Sequence, residues 1–308
     1  MTIPQPPISL RRLGSFSDHA GGATAVAWAP GGVTLATGDG RGVHLWDVIQ
    51  GAKLNDFFGP MDSITDLAWS PDGITLAASS GRTVWLWGKG SGGVARIEAT
   101  EWVVSIAWSP DGRFIAYGGG GGEVDAIYVV DATTSAPVTT LRGIDAPITA
   151  LAWSPDGQMI AAAAHDGAVR CWTPASADPF VRLPGHDEAA WCLSWSPNSR
   201  MLVTGGLDGK CSVWDVAARV ELRELLGHMG WVYAVAWSPD GRFIASGSGD
   251  PQGIDRSLRL WDPLQSVEVA NIDPAHLDVI HAIDWSPDSH RLATASADER
   301  VTIWQIDG

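Results

Sequence analysis

Lysine is nearly missing from this chain. Lys53, Lys89 and Lys210 are the only three, and with the arginines they make 20 basic residues against 35 acidic ones, a net charge of −15. Phosphate backbones and anionic membrane surfaces are held by clustered Lys and Arg, so the balance argues against a nucleic-acid or membrane binder. Cysteine is scarce too. Cys171, Cys192 and Cys211 are odd in number and form no Cys-x-x-Cys pair. They read as buried free thiols in a reducing cytoplasm, not as a disulfide frame or a zinc site. No apolar run is long enough to span a bilayer, and no charged-then-apolar signal segment opens the chain. There is no Gly-Lys-Ser/Thr phosphate loop and no Gly-x-Ser-x-Gly nucleophile elbow. Sustained 3.6-residue periodicity is absent, which predicts no long helix. The lysine-poor, arginine-, Ala- and Gly-rich composition hints at a GC-rich bacterial genome.

Tryptophan is abundant instead, with 17 copies. Seven of them anchor a pattern close to Ala-Trp-Ser-Pro-Asp-Gly: Trp28, Trp69, Trp108, Trp153, Trp195, Trp237 and Trp285. Their successive spacings are 41, 39, 45, 42, 42 and 48 residues. A unit of this length cannot bury its own apolar face, so the period predicts a radial or stacked repeat. Short alternating runs such as Ala25-Val26-Ala27-Trp28 and Val43-His44-Leu45-Trp46 read as strands. Pro-Asp-Gly supplies the turn between the first two strands of each unit, Pro by fixing φ and Gly by accepting positive φ.

A second signature follows each anchor. It reads Leu45-Trp46-Asp47, Leu86-Trp87-Gly88, Cys171-Trp172-Thr173, Val213-Trp214-Asp215, Leu260-Trp261-Asp262 and Ile303-Trp304-Gln305, with Val129-Val130-Asp131 in the third unit. Gly185-His186 and Gly227-His228 precede their anchors, and His19 and His276 hold the same slot without the glycine. Gly-His, a β-branched run and then Trp-Asp resembles the WD-repeat family, in register from about Ile8 to Ile306. The resemblance implies an all-β, seven-bladed β-propeller of four-stranded antiparallel blades. Ile8-Ser9-Leu10-Arg11-Arg12-Leu13 resembles the outer strand Val220-Glu221-Leu222-Arg223-Glu224-Leu225, so the N-terminal segment is expected to complete the last blade and close the ring. Residues 1–7 read as a flexible tail and 8–308 as one propeller domain.

The resemblance also implies a buried hydrogen-bonded set of His, Ser or Thr, Trp and turn Asp within a blade. Mapped here it gives His186, Thr204, Trp214 and Asp208; His228, Ser246, Trp261 and Asp255; His276, Thr294, Trp304 and Asp298; and, one residue off register, His19, Thr37, Trp46 and Asp39. Recurrence with a Trp in each set speaks for packing and against a catalytic triad. Units two to four lack the full set, which predicts that they are less stable than five to seven.

Thirteen tryptophans fill the two repeated slots, leaving Trp85, Trp102, Trp191 and Trp231. Trp85 alternates with Trp87 and reads as packing between blades or on the rim. By resemblance, partners bind the face around the central channel where the innermost strands begin. The slots six and four residues before the anchors, and the residue before the turn Asp, point there. They place Trp102, Trp191, Trp231 and Tyr233 in that face, flanked by His165, Leu207 and His281. Exposed Trp and Tyr are typical interface anchors. Asp145, Asp187, Glu188 and Asp278 accompany them, and Glu101 precedes Trp102, which suits a basic peptide. The loops Gly118–Asp125 and Gly249–Gly253 are expected to project on this face. Two carboxylates, Glu123 and Asp125, are too few for a calcium site. The sequence therefore reads as a non-catalytic scaffold, cofactor-free, with a protein or peptide partner. A monomer is the preferred oligomeric state. The alternative is an enzyme or small-ligand or metal binder working in the channel, for which Asp66, His165 and His281 are the inner-strand candidates.

Overall fold

The computed structural model describes residues 8–60, 62–88, 94–121, 125–179 and 181–308. The Pro-rich start of the chain and the expectation for Glu123 fall outside them. The described residues form seven antiparallel four-stranded sheets. None of these residues lies in a helix. Innermost strands run Ala25–Trp28, Ile64–Trp69, Trp102–Trp108, Ile148–Trp153, Ala190–Trp195, Trp231–Trp237 and Ile280–Trp285, so each one ends on its anchor. The ring closes as expected: Ser9–Phe16 pairs antiparallel with Val301–Asp307, Ser9 opposite Asp307 and Phe16 opposite Val301. That pairing leaves no open seam at which another strand could add.

The repeated motif has a mechanical reason in each part. In the second unit Ser70 Oγ donates to Asp72 Oδ1 at 2.6 Å and accepts from Thr75 N at 2.9 Å. Gly73 N reaches Ser70 O at 2.8 Å, and Gly73 sits at φ +69°, where a side chain would be strained. Blades 5 and 7 place Ser199 and Ser289 in that left-handed position instead. Each serine is put to use, accepting from Asp156 N at 3.0 Å and from Asp240 N at 3.1 Å in the preceding blade's turn. The anchor tryptophans tie blades together as well. Trp69, Trp108, Trp195 and Trp285 donate their indole N–H to carbonyls of Ala27, Ala68, Ala152 and Ala236, each one blade back, at 3.1–3.2 Å.

The polar sets form relays in three blades. An indole can only donate, so Thr204 Oγ1 accepts from Trp214 Nε1 at 2.9 Å and gives its own hydrogen to His186 Nε2 at 2.8 Å. The opposite ring nitrogen then donates to Asp208 at 2.9 Å. His228 bonds Ser246 and Asp255 at 2.6 and 3.0 Å, and Trp261 donates to Ser246 at 2.7 Å. His276 bonds Thr294 and Asp298 at 2.7 and 3.0 Å, and Trp304 donates to Thr294 at 2.9 Å. Burial holds the His228 imidazole below its usual pKa, so it is neutral as the relay requires. The Asp255 hydrogen bond opposes that shift.

Blade 1 is wired differently. His19 and Trp46 meet at Thr37, at 2.8 and 2.9 Å, but Asp39 does not reach His19. Its carboxylate goes to His44 at 3.1 Å and to the backbone N–H groups of Ala20, Arg41 and Gly42. His44 also bonds Asp56 at 2.6 Å. Burial opposes charge on His44, but its two carboxylate partners outweigh that and raise its pKa. Burial and the nearby His44 cation lower His19 to about 4.

Blades 2 to 4 replace the set unequally. Blade 4 buries the Arg170 guanidinium against Asp166 and sends the Trp172 indole to Arg142 O at 2.9 Å. Blade 3 has Tyr128, which donates to Glu101 at 3.3 Å and accepts from Thr100 Oγ1 at 3.4 Å. Blade 2 has Ala78 where the relay needs a hydroxyl. Opening free energy should therefore be lowest in blade 2. Amide exchange is expected to be faster in Thr75–Ser80 and Thr83–Gly88 than in Met201–Gly206 and Cys211–Asp215; equal rates would refute the ranking.

Candidate partner-binding mouth of the central channel

Six of the seven innermost strands carry a register shift at their second or third residue. It falls between Ile64 and Asp66, Val103 and Ser105, Ile148 and Ala150, Ala190 and Cys192, Val232 and Ala234, and Ile280 and Ala282. The residues left over are Thr65, Val104, Thr149, Trp191, Tyr233 and His281. A bulge leaves one residue unpaired and re-aims its side chain. All six line the central cavity of about 550 Å³, so the slot four residues before the anchor faces the channel because it is the bulge.

What stands at the bulge decides the local wall. Where it is Thr, the hydroxyl donates across to the next blade's innermost strand. Thr65 reaches Val103 O at 2.9 Å, and Thr149 reaches Ala190 O at 2.6 Å. Thr24, in the same slot of blade 1, reaches Ile64 O at 2.6 Å. These bridges close the inner edges of blades 1, 2 and 4. Blades 5, 6 and 7 present rings there instead.

The rings form a continuous arc of edge-to-face contacts. His165 meets Trp191 at 5.6 Å, Trp191 meets Tyr233 at 5.5 Å, and Tyr233 meets His281 at 5.9 Å. Trp231 joins at Tyr233, 6.1 Å away. Separations in this range suit the ring quadrupoles. Trp191, Trp231, Tyr233 and His281 are half-buried and His165 is exposed. Burial lowers the His281 pKa against the opposing effect of Asp278. Burial, with Asp250 adding, raises that of Tyr233.

Two expected members lie outside the arc. Trp102, 48% exposed, begins the innermost strand of blade 3 and is not in the cavity wall. Leu207 donates its N–H to Ala189 O at 3.0 Å and also lies off the wall. Trp85 stacks on Trp87 at 6.1 Å, with the Arg96 guanidinium 5.5 Å from its ring, at the edge of a core cluster. Among the acidic companions, Asp187 is engaged by Lys210 at 2.8 Å, whereas Asp145, Glu188 and Asp278 are exposed.

Two of the innermost strands also carry a carboxylate. Asp66 was a candidate in sequence; Asp284 was not. Asp66 accepts from Leu67 N, Ile106 N and Ser105 Oγ at 2.8, 2.9 and 2.9 Å. Asp284 accepts from Trp28 N at 2.7 Å and Trp285 N at 2.9 Å. Both therefore satisfy N–H groups on the exposed inner edges of neighbouring blades. Burial raises Asp66 to about 6 and, with the Asp66 charge adding, Asp284 to about 7. Among the described residues no group of three or more His, Cys, Asp or Glu is placed to hold a metal ion.

The sign of the pH effect follows. An unfolded aspartate ionises near pH 4, but folded Asp284 keeps its proton to about 7. Folding stability contributed by this proton is present below about pH 4 and is lost as pH rises to 7. Ser194 occupies the same position in blade 5 and accepts from Trp237 N at 3.0 Å without a charge. Asp284→Ser should thus gain stability relative to the wild type between pH 4 and pH 7, with no further gain above. Urea midpoints across that range measure it, and parallel curves would refute it.

Seven closed four-stranded blades with an open-mouthed channel define a β-propeller. The family described as WD domain, G-beta repeat matches residues 10–47, 51–88, 94–124, 135–173, 178–215, 219–262 and 268–305. The chain belongs to that family, whose fold commonly serves protein–protein interaction. A comparison with curated proteins finds no match. Among the described residues no helix is long and apolar enough to cross a membrane.

Proposed function

We propose that this protein is a non-catalytic scaffold that binds a protein or peptide segment at the channel mouth of blades 4 to 7. The observation that carries the reading is the arc His165–Trp191–Tyr233–His281, with Trp231 beside Tyr233. Rings in these positions are not needed for closure, since threonines close blades 1, 2 and 4 from the equivalent slot. Half-buried aromatic groups beside a concavity are the usual anchors of an interface. The partner is basic in this reading, because the exposed Asp145, Glu188 and Asp278 lie in the loops that enter the innermost strands of blades 4, 5 and 7 and no Lys or Arg lines the cavity. The same absence of Lys and Arg speaks against nucleic acid as the partner. Trp102 and Leu207 become outlying contacts that a longer segment would reach.

Affinity capture from the source lysate tests this. A folded Trp191→Ala/Tyr233→Ala variant should lose a partner that the wild type and a Trp102→Ala variant both retain. A captured set that is the same for all three would place the interface elsewhere.

A further inference from the structure

The channel wall has two unlike halves. Trp191, Tyr233 and His281 form a collar on one side. One residue further along the strands stands Asp66, in a layer otherwise made of Ala25, Ser105, Ala150, Cys192, Ala234 and Ala282. Those small side chains leave the layer open, and the cavity of about 550 Å³ is of a size that takes a small ligand. Asp66 is the one carboxylate among the cavity's lining residues. No Lys or Arg is there to pair with it.

Capping a backbone N–H does not explain a carboxylate here. Ser105, in the same slot of the next blade, caps Leu151 N at 3.1 Å with a hydroxyl. Asp66 does the equivalent for Ile106 N while carrying a charge that costs free energy to enclose. Three of its roughly four acceptor positions are filled, which leaves one, on Oδ1, for a further donor at a residue that lines the cavity. A carboxylate behind aromatic faces is the chemistry that recognises organic cations.

We propose that the channel seats an alkylammonium or guanidinium group, which passes the collar of Trp191 and Tyr233 and pairs with the Asp66 carboxylate. The group belongs either to an Arg or Lys side chain of the docked segment or to a free amine. The first source rests on the peptide-docking reading above; the second does not.

Calorimetric titration of the full chain separates the cases. The probes are agmatine, an acetylated and amidated Ala-Arg-Ala tripeptide, and the same tripeptide with citrulline, which keeps the shape of arginine without its charge. Agmatine and the Arg tripeptide should bind the wild type, and the citrulline peptide should not. Asp66→Asn and Asp66→Ser should each weaken binding roughly tenfold or more, as loss of a charged hydrogen bond does. The Ser variant retains a hydroxyl to cap Ile106 N, as Ser105 does for Leu151 N, and thermal melting verifies that both are folded. Tighter binding of the Arg tripeptide than of agmatine assigns the group to a polypeptide. Tighter binding of agmatine keeps the cation site but removes support for the docking reading. Equal binding of the citrulline peptide, wild-type affinity in both Asp66 variants, or no heat from either cation overturns the inference. A partner still lost on Trp191→Ala/Tyr233→Ala would in those cases leave the docking reading standing.

Discussion

Trp214→Ala is expected to lower the unfolding free energy by about 3–5 kcal/mol, the range for deleting a buried tryptophan. Trp214 is 1% exposed and packs in the core shared by blades 4 and 5. Its loss opens a cavity and removes the donor from Thr204. Two further variants divide the effect. Thr204→Val keeps the shape but leaves His186 Nε2 and the Trp214 indole without their partner, at a cost of about 1–3 kcal/mol. Trp85→Ala removes a half-buried ring from the edge of its cluster and should cost less than Trp214→Ala. Denaturant midpoints give the order, and a Trp85 loss equal to that of Trp214 would contradict it.

Trp191→Ala and Tyr233→Ala should act on binding with little effect on folding. Each is a half-buried ring at a bulge, with no hydrogen bond in the closure of the ring to lose. Interface anchors of this type are worth about 2 kcal/mol or more, so each substitution should weaken the partner roughly 30-fold or more. Their effects should not add, because the two rings touch at 5.5 Å. Thr149→Val is the converse variant. It breaks the bridge to Ala190 O and should lower stability while sparing the partner. Swapped outcomes, with binding lost at Thr149 and stability lost at Trp191, would mean that the arc is packing.

The fold was legible because every layer of it repeats. The anchor, the Ser-Pro-Asp-Gly turn and the second Trp each have a fixed partner in space, so their spacing carries the geometry. The copy of the outer-strand pattern at Ile8–Leu13 revealed the closure for the same reason. The site was legible only in part. Trp191, Tyr233 and His281 share one slot, and a slot can be read from sequence. The bulge that turns this slot into the channel could not be read, because a register shift is a property of paired strands. Trp102 was grouped with the arc through its residue type and its slot six before the anchor, but in blade 3 that residue is paired with Gly120, ahead of the bulge at Val104. Asp284 was missed because its slot elsewhere holds Ala or Ser and draws no notice. Its role depends on the unpaired N–H of Trp28, 256 residues away. In blade 1 the one-residue displacement of Asp39 was visible, but the competing partner, His44, sits at a strand position that the other blades fill with Trp85, Tyr128, Arg170, Ser212, Arg259 and Thr302, so no shared residue type marked it.

Selection of peptides from a random displayed library on the wild-type protein tests the channel-mouth interface most directly. The enriched peptides would be measured against the wild type, Trp191→Ala/Tyr233→Ala and the outer-strand variant Leu222→Ala. The account predicts Arg- or Lys-bearing peptides whose affinity falls roughly 30-fold or more in the double variant and is unchanged by Leu222→Ala. Peptides that bind the double variant as tightly as the wild type would contradict it.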